Sequence, residues 1–154
     1  MGENQKIPQK GGGMKKSPLK KRSKKLTIPR LRDKVCDLIK KHVKETNSVD
    51  GWCICITCGK MIKNHTLKCH GGHYIHGKGI ESYLDERNIH VQCSRCNLYL
   101  KGNMRKYERY MQEEYGQVVI DELEKMEENK MWIWKRNHLE ELLEKYKKLG
   151  KKDE

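Results

Sequence analysis

Phenylalanine is absent from this 154-residue sequence, proline occurs three times, and no stretch approaches the ~20 apolar residues that a membrane-spanning helix needs. Each shortage excludes something. With hydrophobic residues at 35% against 36% charged, a large apolar core is out of reach, and the aromatic load falls on seven Tyr and three Trp. A domain this polar needs a staple, and a structural metal is the first choice. The missing apolar run argues against a membrane partner, and the basic N-terminus lacks the apolar core of a signal peptide. The expectation is an intracellular protein with reduced thiols, where CxxC pairs bind metal instead of forming disulfides. Seven cysteines, an odd number, suit four ligands and three others better than a disulfide framework.

The net charge of +13 is unevenly spread: +10 over residues 1–34, +4 over 35–103 and −1 over 104–154. A polyanion such as nucleic acid is the natural partner of such a distribution. The plainer alternative is a solvated tail that aids solubility. Residues 1–28 contain Gly11-Gly12-Gly13, Pro8, Pro18 and the lysine-rich run Lys15–Lys25, and they read as a disordered basic arm. Pro29 suits a first helical turn, and Leu31, Val35, Leu38, Ile39 and His42 continue a helix to about Glu45. Asn47 to Gly51 read as a turn, 52–56, 66–76 and 84–92 as strands, and a helix from Ser94 ends near Gly102. In 104–154 the spacing predicts three helices: Met104–Tyr115, Val118–Glu128, and a last one opened by the capping box Asn137-x-x-Glu140. Cys36, His42, Trp132 and Trp134 read as packing residues. The fold class is α+β, with the core in 29–103 and a helical region in 104–154.

Two cysteine pairs, Cys55-x-x-Cys58 and Cys93-x-x-Cys96, carry the strongest signal. Two knuckles of this spacing complete a closed four-sulfur zinc site, which is structural because no position is left for water or substrate. Cys53 shares a strand face with Cys55 and competes for that ligand position, but Cys55-x-x-Cys58-Gly59 is the better knuckle. Between and beside the pairs lie Gly71-Gly72-His73-Tyr74, Asn88-Ile89-His90 and Asn97. Phosphodiester hydrolysis needs a base for water, a cation for the phosphate and a group that fixes the base. Histidine suits the first role, and a side-chain carbonyl suits Mg²⁺. Two glycines before His73 admit a close backbone, strand alternation turns Tyr74 away from His73 and Ile75, and Asn97 is held beside a metal-bound cysteine. Singly, each of these residues is weak, since His is usually structural and Asn usually caps or turns.

The run CITCG…GGHY…RNIHVQCSRCN…KGN resembles the NinG/Rap recombination proteins of lambda-like bacteriophages, which are similar to HNH nucleases with a zinc-braced ββα-metal core. The resemblance covers roughly residues 29–149. It implies His73 as general base, Asn88 as the residue orienting it, and Asn97 as ligand to catalytic Mg²⁺ or Mn²⁺ in place of the last HNH histidine. The position before the base, often an acidic or His ligand, is Gly72 here. His70, His76, His90, Asp85 or Asn103 would supplement the metal shell, with Asn103 and His90 preferred because they fall in the resembling runs. The resemblance implies a Mg²⁺-dependent endonuclease of recombination, acting on branched DNA such as Holliday junctions in the cytoplasm of the infected host, with a homodimer as candidate assembly. Lys78, Arg87, Arg95 and Lys101 would grip phosphates. The rivals are a zinc-stabilised DNA-binding accessory protein without catalysis and an RNA-binding or annealing accessory.

Overall fold

The computed structural model describes Met1 and residues 25–151. The basic arm expected over residues 1–28 therefore falls almost entirely outside the described residues. The architecture is α+β: among the described residues, four α-helices and two small antiparallel sheets in one sequence of elements.

Helix α1 (Ile28–Thr46) opens with Pro29 in its first turn, where a missing N–H costs nothing. Leu31, Val35, Cys36, Ile39 and Val43 recur at helical spacing and form its buried stripe. The helix closes on Asn47, whose backbone N–H and side-chain Nδ2 both donate to the Val43 carbonyl. Strands β1 (Ser48–Val49) and β2 (Trp52–Ile54) follow, joined by Asp50-Gly51, both at positive φ. Asp-Gly in that conformation is the two-residue hairpin turn whose twist matches the strands. Strand β3 (Met61–Lys63) completes a three-stranded meander that places Cys53 opposite Ile62, both buried, while Trp52, Ile54 and Met61 face out.

Strands β4 (Cys69–His73) and β5 (Ile89–Cys93) form the second sheet, in a register that pairs Cys69 with Cys93, His70 with Gln92, Gly72 with His90 and His73 with Ile89. Both strands are shorter than the alternation predicts. Residues 74–88 form a loop with two short 3-10 turns, Glu81–Leu84 and Glu86–Asn88. Ile75 accordingly leaves the face of His73 and packs with Tyr74 in the second of two apolar clusters. After β5 the chain turns through the wide helical segment Arg95–Tyr99 and reaches Gly102 at φ +90.

Helices α2 (Met104–Glu114) and α3 (Gln117–Glu128) agree with the predicted spans to within one residue at each end, and α4 (Arg136–Leu149) starts beside the predicted opening at Asn137. The capping box does not form: Lys135 is the N-cap of α4, and Asn137 lies inside the helix. The core does not respect the boundary at residue 103. Trp134, Leu139 and Tyr146 join α1, β5 and the cysteine knuckles in one cluster. Tyr107, Met111, Ile120 and Leu123 pack against Tyr74 and Ile75 in the other. No helix among the described residues is long and apolar enough to cross a membrane.

Candidate active site and metal centre

The four knuckle cysteines converge. The sulfurs of Cys55, Cys58, Cys93 and Cys96 all lie within 4.8 Å of one another, and Cys58 and Cys93 are 3.8 Å apart. A tetrahedron with zinc–sulfur bonds of 2.3 Å has edges of about 3.8 Å, so the cluster has the size to hold a metal ion such as zinc. Gly59, at φ +71, lets its N–H reach back to the Cys55 carbonyl and close the first knuckle. The second knuckle donates from Cys96 N–H to Cys93 Sγ. Burial alone would raise the Cys55 thiol, but the Thr57 hydroxyl and the N–H groups of Cys93, Thr57 and Cys58 outweigh it and bring the thiol down to about 6. Cys53 does not join the cluster; its thiol donates to the Lys44 carbonyl.

His73 ends β4 with only 9% of its surface exposed. Its Nε2 lies 3.0 Å from the backbone carbonyl of Tyr83, which can only accept, so Nε2 carries the proton. The ring stacks on the Tyr83 ring at 4.7 Å. Nδ1 has no hydrogen-bond partner among the described residues and is not sealed from solvent. Burial, aided by the nearby charge of Lys40, pushes the imidazole down to about 4, so it is neutral at pH 7.

The Asn88 side chain makes no hydrogen bond to His73, so any orienting role it has is indirect. Its Oδ1 accepts from Ile75 N–H at 2.7 Å, and its Nδ2 donates to the carbonyls of Ile75 and Ser82. Fully buried, Asn88 staples the 74–88 loop that carries Tyr83, and the Tyr83 carbonyl holds His73. The amide acts on His73 through a backbone.

Gly72, the residue before His73, faces the other side of the hairpin. A Cβ placed there would collide with Gln92 Oε1 and sit 2.9 Å from Asn97 Oδ1. Asn97 is thus brought against the neighbour of His73, in the middle of the Arg95–Tyr99 segment beside Cys96. Gln92 Nε2 donates to the Gly102 carbonyl at 2.7 Å and to Thr57 Oγ1 at 3.3 Å, and Thr57 contacts Cys55 Sγ at 3.3 Å. The carbonyl oxygens of Gln92 and Asn97 beside an empty Cβ position form a neutral oxygen set that suits a hard divalent cation.

The supplementary ligands fare differently. His90 is committed at both nitrogens: Nδ1 donates to the Tyr107 hydroxyl at 3.0 Å, Nε2 accepts from Tyr115 at 2.9 Å, and Tyr107 in turn donates to the Gly72 carbonyl. It cannot serve as a metal ligand without breaking this relay. Asn103 directs its Nδ2 to Cys96 Sγ, so it belongs to the cysteine cluster instead. His70 bonds the Leu67 carbonyl, and Asp85 caps the turn that contains Arg87. His76 stays exposed beside Gly102.

Of the expected phosphate grips, Arg87 is bound to Asp85 and Glu122 and is removed from the set by that pairing. Lys78 pairs with Asp33 at the surface. Arg95 and Lys101 are exposed, with no ion pair among the described residues. Sequence reasoning missed Gln92, Thr57, Tyr107, Tyr115 and Lys40. Lys40 projects from α1 over Gly71, where a Cβ would lie 2.7 Å from its Cγ.

A family model described as "Bacteriophage Lambda NinG protein" matches residues 3–154. Over 79 residues the chain is 33% identical to proteins described as "Protein ninG" from Escherichia phage 933W and from Salmonella phage P22, and 32% identical to that of Escherichia phage lambda. The alignments cover 51% of this chain, 38% of the 933W protein and 37% of the other two. The chain thus spans less than two fifths of the length of the curated relatives it matches. No solved structure matches.

Proposed function

We infer function from one premise: the chain belongs to the NinG family of lambda-like bacteriophages. On it we propose a divalent-metal-dependent endonuclease that cuts branched DNA in recombination, with Holliday junctions as the type substrate. In this reading β4, β5 and the Arg95–Tyr99 turn are the three parts of a ββα-metal core, braced by zinc on the four cysteines.

The wiring of His73 carries the proposal. Its proton is fixed on Nε2 by the Tyr83 carbonyl, and its Nδ1 lone pair has no partner among the described residues and is not sealed from solvent. That is the state a general base needs at neutral pH. A water beside the scissile phosphate gives its proton to Nδ1 while its oxygen bonds to phosphorus. The bond from phosphorus to the 3′ oxygen then breaks, leaving a 5′ phosphate and, after proton uptake, a 3′ hydroxyl. The Tyr83 carbonyl holds the imidazolium until it returns its proton to solvent. Asn97 would hold Mg²⁺ or Mn²⁺, which when bound neutralises charge on the phosphate and the leaving oxygen. Arg95, Lys101 and Lys40 offer positive charge to the DNA backbone, together with the basic arm.

The decisive assay incubates a mobile four-way junction with Mg²⁺ and the wild type, His73→Ala or Asn97→Ala. Binding retained with cleavage lost in both variants supports the enzyme. Binding by the wild type without cleavage, across Mg²⁺, Mn²⁺ and Ca²⁺, overturns it in favour of a non-catalytic DNA-binding protein.

A further inference from the structure

We propose that Gln92 is a second protein ligand of the catalytic divalent cation, its carbonyl oxygen standing in for the side chain that Gly72 lacks. The inference rests on the nuclease reading above and completes its metal shell.

Gln92 is wholly buried, yet its Oε1 has no hydrogen-bond donor. A sealed acceptor without a partner is destabilising, so such an atom needs a reason. Its direction is fixed from the other end of the amide. The Gly102 carbonyl can only accept, so the group 2.7 Å from it is the Nε2 donor, and Oε1 is the end turned toward Gly72. There it crowds the space that a Cβ on Gly72 would fill, which Asn97 Oδ1 also borders. Both oxygens border the same empty Cβ position, the place where one cation would be shared between them.

The position also makes chemical sense. A side chain before the base would enter this space from β4; here the glycine leaves it open and β5 fills it from across the hairpin. Gly72 and Gln92 are therefore one device: any side chain at 72 would displace the Gln92 carbonyl. Thr57 and Gly102 clamp the Gln92 amide nitrogen, so the oxygen is held before any ion arrives. Neutral oxygens from one Gln and one Asn suit an ion that keeps several of its waters.

The test is Mn²⁺ binding by the zinc-loaded full chain, with free Mn²⁺ counted by its paramagnetic resonance signal and with zinc content and thermal melts recorded for every variant. Gln92→Leu is expected to weaken Mn²⁺ binding at least tenfold. Gln92→Glu adds charge to the same ligand atom and, in protein whose melt matches wild type despite the donor lost to the Gly102 carbonyl, is expected to tighten binding at least tenfold. Gly72→Asp combined with Gln92→Ala is expected to restore binding, whereas Gly72→Asp alone melts early from the collision with Gln92. If Gln92→Glu binds no more tightly than wild type while Gln92→Leu is weaker, Gln92 merely positions Asn97 and the proposal falls. Equal affinity in Gln92→Leu and wild type also overturns it. A wild type that takes up no Mn²⁺, with or without junction DNA, sinks the nuclease reading itself, an outcome the variants cannot imitate.

Discussion

The two faces of the β4–β5 hairpin each bury a histidine, and the two are wired in opposite ways. His90 lies between Tyr107 and Tyr115 with both nitrogens bonded, while His73 gives one nitrogen to the Tyr83 carbonyl and leaves the other unpaired. Burial pushes both down to about 4, and for His73 the charge of Lys40 adds to it. Neither burial nor pKa distinguishes them; hydrogen-bond occupancy does. A histidine with two partners organises its surroundings, and one with a single partner has a lone pair left for chemistry.

That contrast breaks most completely when its common frame is removed. Both strands end beside the cysteine cluster, and a structural zinc contributes on the order of 10 kcal/mol to folding. Chelation is expected to erase the separate histidine environments, read as loss of the dispersed ring resonances together with the circular dichroism of the middle of the chain. A hairpin that persists without metal would show the clamp to be dispensable. Next in size is the exchange of effects between the two rings. His73→Ala should lower junction cleavage per folded molecule by roughly 10²–10⁴, beyond the cost of about 2–3 kcal/mol in stability from losing a buried, stacked ring. His90→Ala should destabilise by about 3 kcal/mol, because it removes a buried ring, the donor to Tyr107 and the acceptor of the Tyr115 hydroxyl, while activity per folded molecule stays within about tenfold. Equal losses of activity in both variants would erase the distinction.

Acid sharpens the comparison further. Both rings have folded values below the ordinary 6.5, so the unfolded chain binds protons that the native chain refuses. Stability is complete above about pH 6.5 and declines as pH falls toward 4, by up to ~1.4 kcal/mol per unit for each ring. Denaturant melts of zinc-loaded protein between pH 7 and 5.5 should show that slope, and His90→Gln should make it shallower. An unchanged slope would mean that His90 titrates normally. Smallest is Tyr115→Phe, expected to cost ~1 kcal/mol through the lost bond to His90 Nε2, with cleavage unaffected.

What was legible in the sequence was local. The stripe Leu31, Val35, Ile39 gave helix α1, and the two CxxC spacings gave the cluster, because both are patterns within a few residues. Strand β3 went unseen because three residues with one buried side chain carry no readable alternation. The strands around His73 and Asn88 were drawn too long because residues 74–88 satisfy part of their backbone through the Asn88 amide instead of a partner strand. Arg87 looked like a phosphate grip until Glu122, 35 residues away, proved to hold it. His90 looked like a ligand for the same reason: its partners are 17 and 25 residues downstream. Gln92 gave no signal at all, since a glutamine in a strand has no periodicity of its own.

Thr57 touches a clamp sulfur with its hydroxyl and accepts from the Gln92 amide with the same oxygen. One small side chain therefore couples the state of the cysteines to the posture of the residues beside Gly72. On the nuclease reading, loss of the clamp's ion would loosen that posture through this single oxygen.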